Sequence, residues 1–130
     1  MSEFSAAKSI SASGMAAQAA RLRLVSENIA NADTPGFQAK SVSFRAVSDF
    51  MENGGQVQTG RVELSSAALP EVYDPGHPLA DDNGYYQGSN VDLMVQIADA
   101  REAQRSYEAN LKMFDQSRQM ASSILELLRR

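Results

Sequence analysis

No cysteine occurs in the 130 residues, which excludes a disulfide framework, a thiolate nucleophile and a Cys-based metal site. Histidine occurs once, as His77 between Gly76 and Pro78. It has no partner in the sequence for a ligand set or a catalytic base, and a turn is its ordinary place. Cations are in short supply: 12 Lys and Arg against 16 Asp and Glu leave a net charge of -4. Without clustered cations to displace counterions from a phosphate backbone, no nucleic-acid partner is expected. Long apolar runs are also missing. None approaches the roughly 18 residues of a membrane span, and "MSEFSAAKSI" lacks a charged segment followed by an apolar core. Neither a cleaved secretory signal nor a membrane anchor is visible, which by sequence rules alone reads as cytoplasmic; a dedicated export route would leave the same blank.

The chemistry-bearing residues that do occur form no catalytic constellation. "DPGHPLADDNG" holds Asp74, Asp81 and Asp82, but lacks the EF-hand spacing and its terminal Glu, so turn-forming Asp is the reading. Gly54 and Gly55 follow no strand-to-helix junction of the kind that cradles phosphate. No catalytic, cofactor-binding or metal residues are assigned, no small-molecule substrate is implied, and the chain is expected not to be an enzyme.

What is present is helical pattern at both ends. Hydrophobic residues make up 43% and charged ones 22%, a globular balance in a chain long enough for one modest domain. From Ser2 to Asn31, Met15, Leu22 and Ile29 recur every seven residues, with Val25 and Ala32 between. The stripe is thin, because the Ala-rich first half has high helix propensity but little area to bury. The C-terminal pattern is stronger. Leu93, Ile97, Ala100, Gln104, Tyr107, Leu111, Phe114, Arg118, Ala121, Leu125 and Leu128 alternate at spacings of four and three, a heptad seam. "SNVD", Ser89 to Asp92, has the form of a capping box at its start. The predicted helix is about 55 Å long, too long to be the buried centre of so small a globule.

Between the helices, Val42, Phe44 and Ala46 alternate with polar neighbours, as do Val62 and Leu64, with the turn signal "ENGGQ" between them. A small β-hairpin is the economical reading, although Phe44, Val47 and Met51 also suit a turn or two of helix. Pro75 and Gly76 are placed for a type II turn, and "DNG" before Tyr85 for another tight turn. The expected fold is mainly α: long N- and C-terminal helices paired as an antiparallel coiled coil, joined by a short turn-rich β segment. In domain terms, 1–33 and 89–130 form one discontinuous coiled-coil domain, and 34–88 is an extended segment with a small hairpin. The C-terminal stripe exceeds what the Ala-rich helix can cover, so other chains should cover the remainder.

Polar residues punctuate these faces. Gln104 and Arg118 in the seam either fix register or, for Arg118, extend to solvent over a packed stem. Tyr107 and Phe114 read either as core between the helices or as anchors for a neighbouring chain. In "NIANADTPGF", Asn31 can take the left-handed conformation that ends a helix, and Pro35-Gly36 sets up a sharp turn. Asn28 lies at the edge of the stripe, where Leu or Ala would serve a self-contained hairpin better. Its amide must find a partner, within the chain or across to a neighbour.

"SENIANADTPGF", Ser26 to Phe37, resembles the N-terminal signature of flagellar axial proteins, and Tyr73 to Leu128, with "DPGHP", "NVDL" and "RSYEAN", is similar to the proximal-rod branch of that family. The resemblance covers all but about residues 48–60. It implies that the terminal helices pair as a coiled coil stacked around a central channel, and that the segment after Pro-Gly-aromatic packs on adjacent subunits. It also implies type III export through the flagellum without a cleaved signal, into a rod crossing the periplasm. Asn28, Asn31, Thr34, Pro35, Gly36 and Phe37 match the N-terminal signature; Asn90, Asp92, Tyr107, Glu108 and Asn110 match the C-terminal one. "DLMVQIADAREAQ" departs by being more polar and Ala-rich.

The implied function is a structural subunit of the flagellar rod, polymerising with copies of itself and other rod subunits, and meeting the membrane-ring junction and export apparatus. The subunit-interface residues are expected to be Asn28, Ile29, Asn31, Thr34, Pro35, Gly36, Phe37, Leu93, Ile97, Tyr107, Leu111, Phe114, Leu125 and Leu128. The alternatives are another rod protein of the same export class, or a soluble coiled-coil adaptor or export chaperone.

Overall fold

A computed structural model describes residues 2–47 and 54–130. The element order is α1 (Ser2–Ala30), β1 (Lys40–Ala46), β2 (Val57–Leu64), β3 (Glu71–Tyr73), β4 (Tyr85–Gln87) and α2 (Leu93–Arg129). The two helices lie against each other, and the contacts run in opposite chain directions. Asn28 meets Gln96, Arg21 meets Asp99 and Glu102, and Gly14 meets Asn110. At Gly14 the approach is so close that an added Cβ would stand 2.8 Å from the Asn110 amide. Glycine permits this close approach of α1 to α2.

The helices bury a different line from the one their apolar residues trace. On α1 the buried positions are Ser11, Gly14, Ala17, Leu24, Val25 and Asn28, whereas Met15 and Leu22 are half-buried and Ile29 is exposed. On α2, Gln96 and Ala103 are buried, and Asn110, Ser117 and Ile124 continue their seven-residue column as half-buried positions. The parallel column Ile97, Gln104, Leu111, Arg118 and Leu125, one residue on and so about 100° around the helix, faces outward. Leu93, Ala100, Tyr107, Phe114, Ala121 and Leu128 lie between the two. The sequence seam therefore combined the middle column with the outward one. Small residues at Ser11, Gly14, Ala17 and Ala103 allow close approach, Leu24, Val25 and Gln96 are buried with them, and Ile97, Leu111 and Leu125 are left on the surface.

Asp92 is the N-cap of α2, accepting from the Met94 and Val95 amides at 3.1 and 3.4 Å. The expected capping box does not form: the helix starts at Leu93, and the Ser89 hydroxyl donates to the Ala32 carbonyl instead. At the end of α1, Asn31 does not take a left-handed conformation; among the described residues only glycines have positive φ. Its side chain donates back to the Glu27 carbonyl at 2.8 Å and accepts from Thr34 Oγ1 at 3.0 Å. The Pro35-Gly36 turn is present, with the Phe37 amide on the Thr34 carbonyl at 3.2 Å and Gly36 at φ 75°. That is a type II turn, whose third position needs glycine.

β1 and β2 form the antiparallel hairpin, with a register shift between Val42 and Phe44. Phe44 is thus in a strand rather than a helical turn; Met51, Glu52 and Asn53 lie outside the described residues. The hairpin runs back along α1. Lys40 sits beside Asn28, and the Val57 amide donates to Ser13 Oγ at 3.0 Å. A second two-stranded sheet, β3 with β4, closes the turn-rich stretch, and Tyr73 and Tyr85 pair across it with ring centroids 5.0 Å apart. The Asp74–His77 turn has its hydrogen bond at 3.0 Å, but Gly76 lacks the positive φ of a type II turn. Gly84, at φ 87°, closes the "DNG" turn. His77 sits in its turn, stacked on Tyr86 at 4.0 Å, with Nδ1 accepting from the Leu79 amide.

Candidate functional site

Two surfaces carry the residues singled out from the sequence. The first is the junction where α1 ends and α2 begins. Asn28 is its centre, 1% exposed. Its Oδ1 accepts from the Lys40 amide at 2.9 Å, and Nδ2 donates to the Lys40 carbonyl at 2.8 Å and to Gln96 Oε1 at 3.0 Å. Both donors are in use, inside its own chain. Asn28 is therefore corrected from a subunit contact to an internal clasp: one amide pairs with a strand backbone as a neighbouring strand would, and holds the partner helix as well.

Asn90 performs the matching task from the α2 side. Its Oδ1 accepts from the Ala39 amide at 2.7 Å, and its Nδ2 donates to the Ser65 and Ala67 carbonyls at 3.3 and 3.0 Å. Its own amide reaches the Phe37 carbonyl at 3.1 Å. The Gly36 amide points to the Gln87 and Gly88 carbonyls. These bonds satisfy backbone groups where no regular ladder exists, and they set the angle between the bundle and the β segment. Around this clasp Thr34 and Gly36 are exposed, and Asn31, Pro35 and Phe37 half-exposed.

The second surface is the outward flank of α2. Leu93, Ile97, Tyr107, Leu111, Leu125 and Leu128 are 46, 37, 36, 41, 47 and 75% exposed. Phe114 is half-buried, and Ile29 is exposed beside the junction. The structure does not bring these groups together into a pocket; it strings them along a helix of 37 residues. The buried apolar core is small, consisting of Ala17, Leu24, Val25 and Ala103 among the described residues. The total surface, 9346 Å², far exceeds the roughly 6,700 Å² of a compact monomer of this mass. Large apolar groups in line on such a surface mark an interaction site.

The ion pairs Arg21–Asp99 at 3.0 Å and Arg21–Glu102 at 3.5 Å bridge the helices, and Lys40–Glu27 ties β1 to α1. Their groups are partly exposed, so each adds only about 0–1 kcal/mol. Lys40, Gln96 and Ser89 were missed as participants. No local pattern marks Lys40, whose contribution is mostly its backbone; Gln96 lies in the stretch "DLMVQIADAREAQ", whose polar and Ala-rich character was its only signal. Among the described residues, no group of three His, Asp or Glu could hold a metal ion. Nor, among them, is any helix long and apolar enough to cross a membrane.

Comparison with known proteins matches both ends of the chain. The family model described as "Flagella basal body rod protein" matches residues 9–38, which contain most of α1 and the Pro-Gly turn. "Flagellar basal body rod FlgEFG protein C-terminal" matches residues 82–127, which contain β4 and most of α2. Flagellar basal-body rod protein FlgC of Agrobacterium fabrum is 40% identical over 136 aligned positions, covering 99% of this chain and 98% of the relative. FlgC of Salmonella typhimurium is 36% identical, covering 91% and 92%, and FlgC of Aquifex aeolicus is 34% identical, covering 90% and 91%. Similarity that runs through the clasp and along both helices leaves one assignment: the chain belongs to the FlgC family of flagellar basal-body rod proteins, structural subunits of the rod and not enzymes.

Proposed function

We propose that this rod subunit takes its place in the proximal rod, where it polymerises with copies of itself and with other rod proteins into a shaft that transmits torque. The observation that carries this reading is the exposed apolar flank of α2, which α1 leaves uncovered. In the assembled rod α1 and α2 act as an antiparallel coiled coil, and the exposed flank, with Ile29, Thr34, Pro35 and Phe37, meets neighbouring subunits. Residues 1–33 and 89–130 form one discontinuous unit, and 34–88 supplies the rod wall.

Stiffness in such a shaft comes from number. Many modest interfaces in a repeating lattice resist torsion together, although each dispersion contact is small. The clasp contributes by fixing the wall segment to the helices, so that load on one reaches the other. Export follows the flagellar type III route in an unfolded state, without a cleaved signal. The rod spans the periplasm, and its base meets the membrane ring and the export apparatus. A chain whose long helix is completed only by neighbours orders fully on assembly.

The test is mass spectrometry of hook-basal bodies purified from a motile strain whose chain carries an epitope tag beside Gly54, between β1 and β2. Recovery in fixed ratio to the other rod proteins after stringent washing supports the reading. Complete rods from a motile strain without the tagged chain overturn it.

A further inference from the structure

Asparagine precedes glycine at two places, Asn53-Gly54 and Asn83-Gly84, and Asn53 lies outside the described residues. Asn83 belongs to a turn that Asp81 closes with both its backbone and its side chain. The Gly84 amide donates to the Asp81 carbonyl at 3.0 Å, and the Asn83 and Tyr85 amides donate to Asp81 Oδ1 at 2.9 and 3.0 Å. In return the Asp81 amide donates to the Tyr85 carbonyl at 2.8 Å, and the Asp74 amide holds the Gly84 carbonyl at 2.9 Å. Gly84 is buried, while Asn83 is exposed. The turn demands glycine at this position: φ is 87°, and an added Cβ would stand 2.9 Å from Tyr73 Cε2 and 3.0 Å from Pro75 Cγ.

We propose that Asn83 is a site of spontaneous deamidation, held in check by the closed Asp81 turn. No Cβ shields the Gly84 nitrogen from the Asn83 side chain, so this pair is reactive wherever the backbone is free to move. The Gly84 nitrogen bonds to Asn83 Cγ, the side-chain nitrogen leaves, and the N–H proton ends on the departing ammonia. Water then opens the cyclic imide at either carbonyl, giving aspartate or isoaspartate. In the closed turn the attacking nitrogen is buried and its hydrogen is held by the Asp81 carbonyl, so it can neither give up the proton nor swing toward Cγ. Reaction therefore waits on local opening. Since the glycine that makes Asn83 reactive is the residue the turn requires, protection has to come from the fold. Isoaspartate lengthens the main chain by one methylene directly ahead of β4, where Tyr85 pairs with Tyr73, and so shifts the register of the second sheet. An interval spent unfolded thus leaves a permanent mark on the folded chain.

The test incubates the purified full chain in mildly alkaline buffer, with and without denaturing urea. Peptide mass spectrometry reads the replacement of NH2 by OH at Asn83 separately from Asn53, and hydrogen exchange reads the Gly84 amide on the same samples. Deamidation of Asn83 is expected to be at least about tenfold slower in buffer than in urea, with the Gly84 amide protected to match, as for any reaction that requires local opening. Asp81→Ala removes the acceptor of the Asn83 and Tyr85 amides and should raise both the deamidation and the exchange rates in buffer severalfold. Asp81→Asn keeps an acceptor oxygen and should stay close to the parent chain. Equal deamidation rates in buffer and urea overturn the proposal, as does a Gly84 amide without protection in the parent chain. An Asn83 that stays intact in urea while Asn53 reacts also overturns it, because the site would then lack the intrinsic reactivity.

Discussion

Asn28 and Lys40 are joined by a reciprocal pair of hydrogen bonds: the Lys40 amide donates to Asn28 Oδ1 at 2.9 Å, and Asn28 Nδ2 donates to the Lys40 carbonyl at 2.8 Å. A side chain on the last turn of a helix thereby opens a strand that begins ten residues later. The same Nδ2 reaches Gln96 on the other helix, so three elements share one buried amide.

Replacing that amide should be costly. Asn28→Leu leaves two Lys40 backbone groups and the Gln96 carbonyl without partners, and is expected to destabilise the chain by roughly 2–4 kcal/mol. Asn28→Asp retains the acceptor but loses both donors, and should be no milder. Hydrogen exchange at the Lys40 amide checks this: protection in the leucine variant equal to that of the parent chain would refute the clasp.

Gly14 and Asn110 should be coupled. Gly14→Ala gains about 1 kcal/mol of helix propensity but drives a Cβ to 2.8 Å from the Asn110 amide. Overpacking of this kind costs about 1–3 kcal/mol, so the single variant should be destabilised. In an Asn110→Ala background the same change should be neutral or stabilising. Urea unfolding of the four proteins gives the coupling, and additive effects would show that the helices are not in close contact there.

Leu111 and Ala103 separate assembly from folding. Leu111 is 41% exposed and Ala103 is fully buried against α1. Leu111→Asp should alter the stability of the isolated chain by no more than about 0.5 kcal/mol, yet abolish swimming with normal synthesis of the chain. Ala103→Asp buries a carboxylate without a partner and should unfold the helix pair. Normal swimming of the Leu111→Asp strain would remove the outward flank from the interface.

Gly36 is constrained by its backbone and by nothing around it, since an added Cβ would meet no atom within 4 Å. Gly36→Val must place a β-branched residue at φ 75°, a cost of about 1–2 kcal/mol, while Gly36→Asn should cost less. Thermal unfolding ranks the two, and equal melting temperatures would mean that the turn is not type II in solution.

Asp92 rather than Ser89 caps α2. Asp92→Ala should destabilise by about 1 kcal/mol and Asp92→Asn by much less. Ser89→Ala should leave the exchange of the Met94 and Val95 amides unchanged while loosening the junction at Ala32. Loss of protection at those two amides in Ser89→Ala would restore the capping-box assignment.

Both helices, the first hairpin and the Pro-Gly turn were legible in the sequence, because each depends on neighbours in the chain: three- and four-residue spacing, alternation, and a proline that fixes φ. The strands of the second sheet have three residues each, too few to show a period, so only their turns were visible. The face of α2 that meets α1 was not legible either. Two columns about 100° apart both continue a heptad, and the apolar one was the natural choice. The tertiary structure chose the other, because close packing of two helices rewards small side chains at the contact, and Gly14 allows it. Whether Asn28 bonded inside or outside the chain had no local answer. The sequence alone determined that a helix must end near Asn31 and that a buried amide there would need partners. That those partners are Lys40 and Gln96 depended on two segments, twelve and sixty-eight residues away, arriving together at one point, which only the folded chain decides.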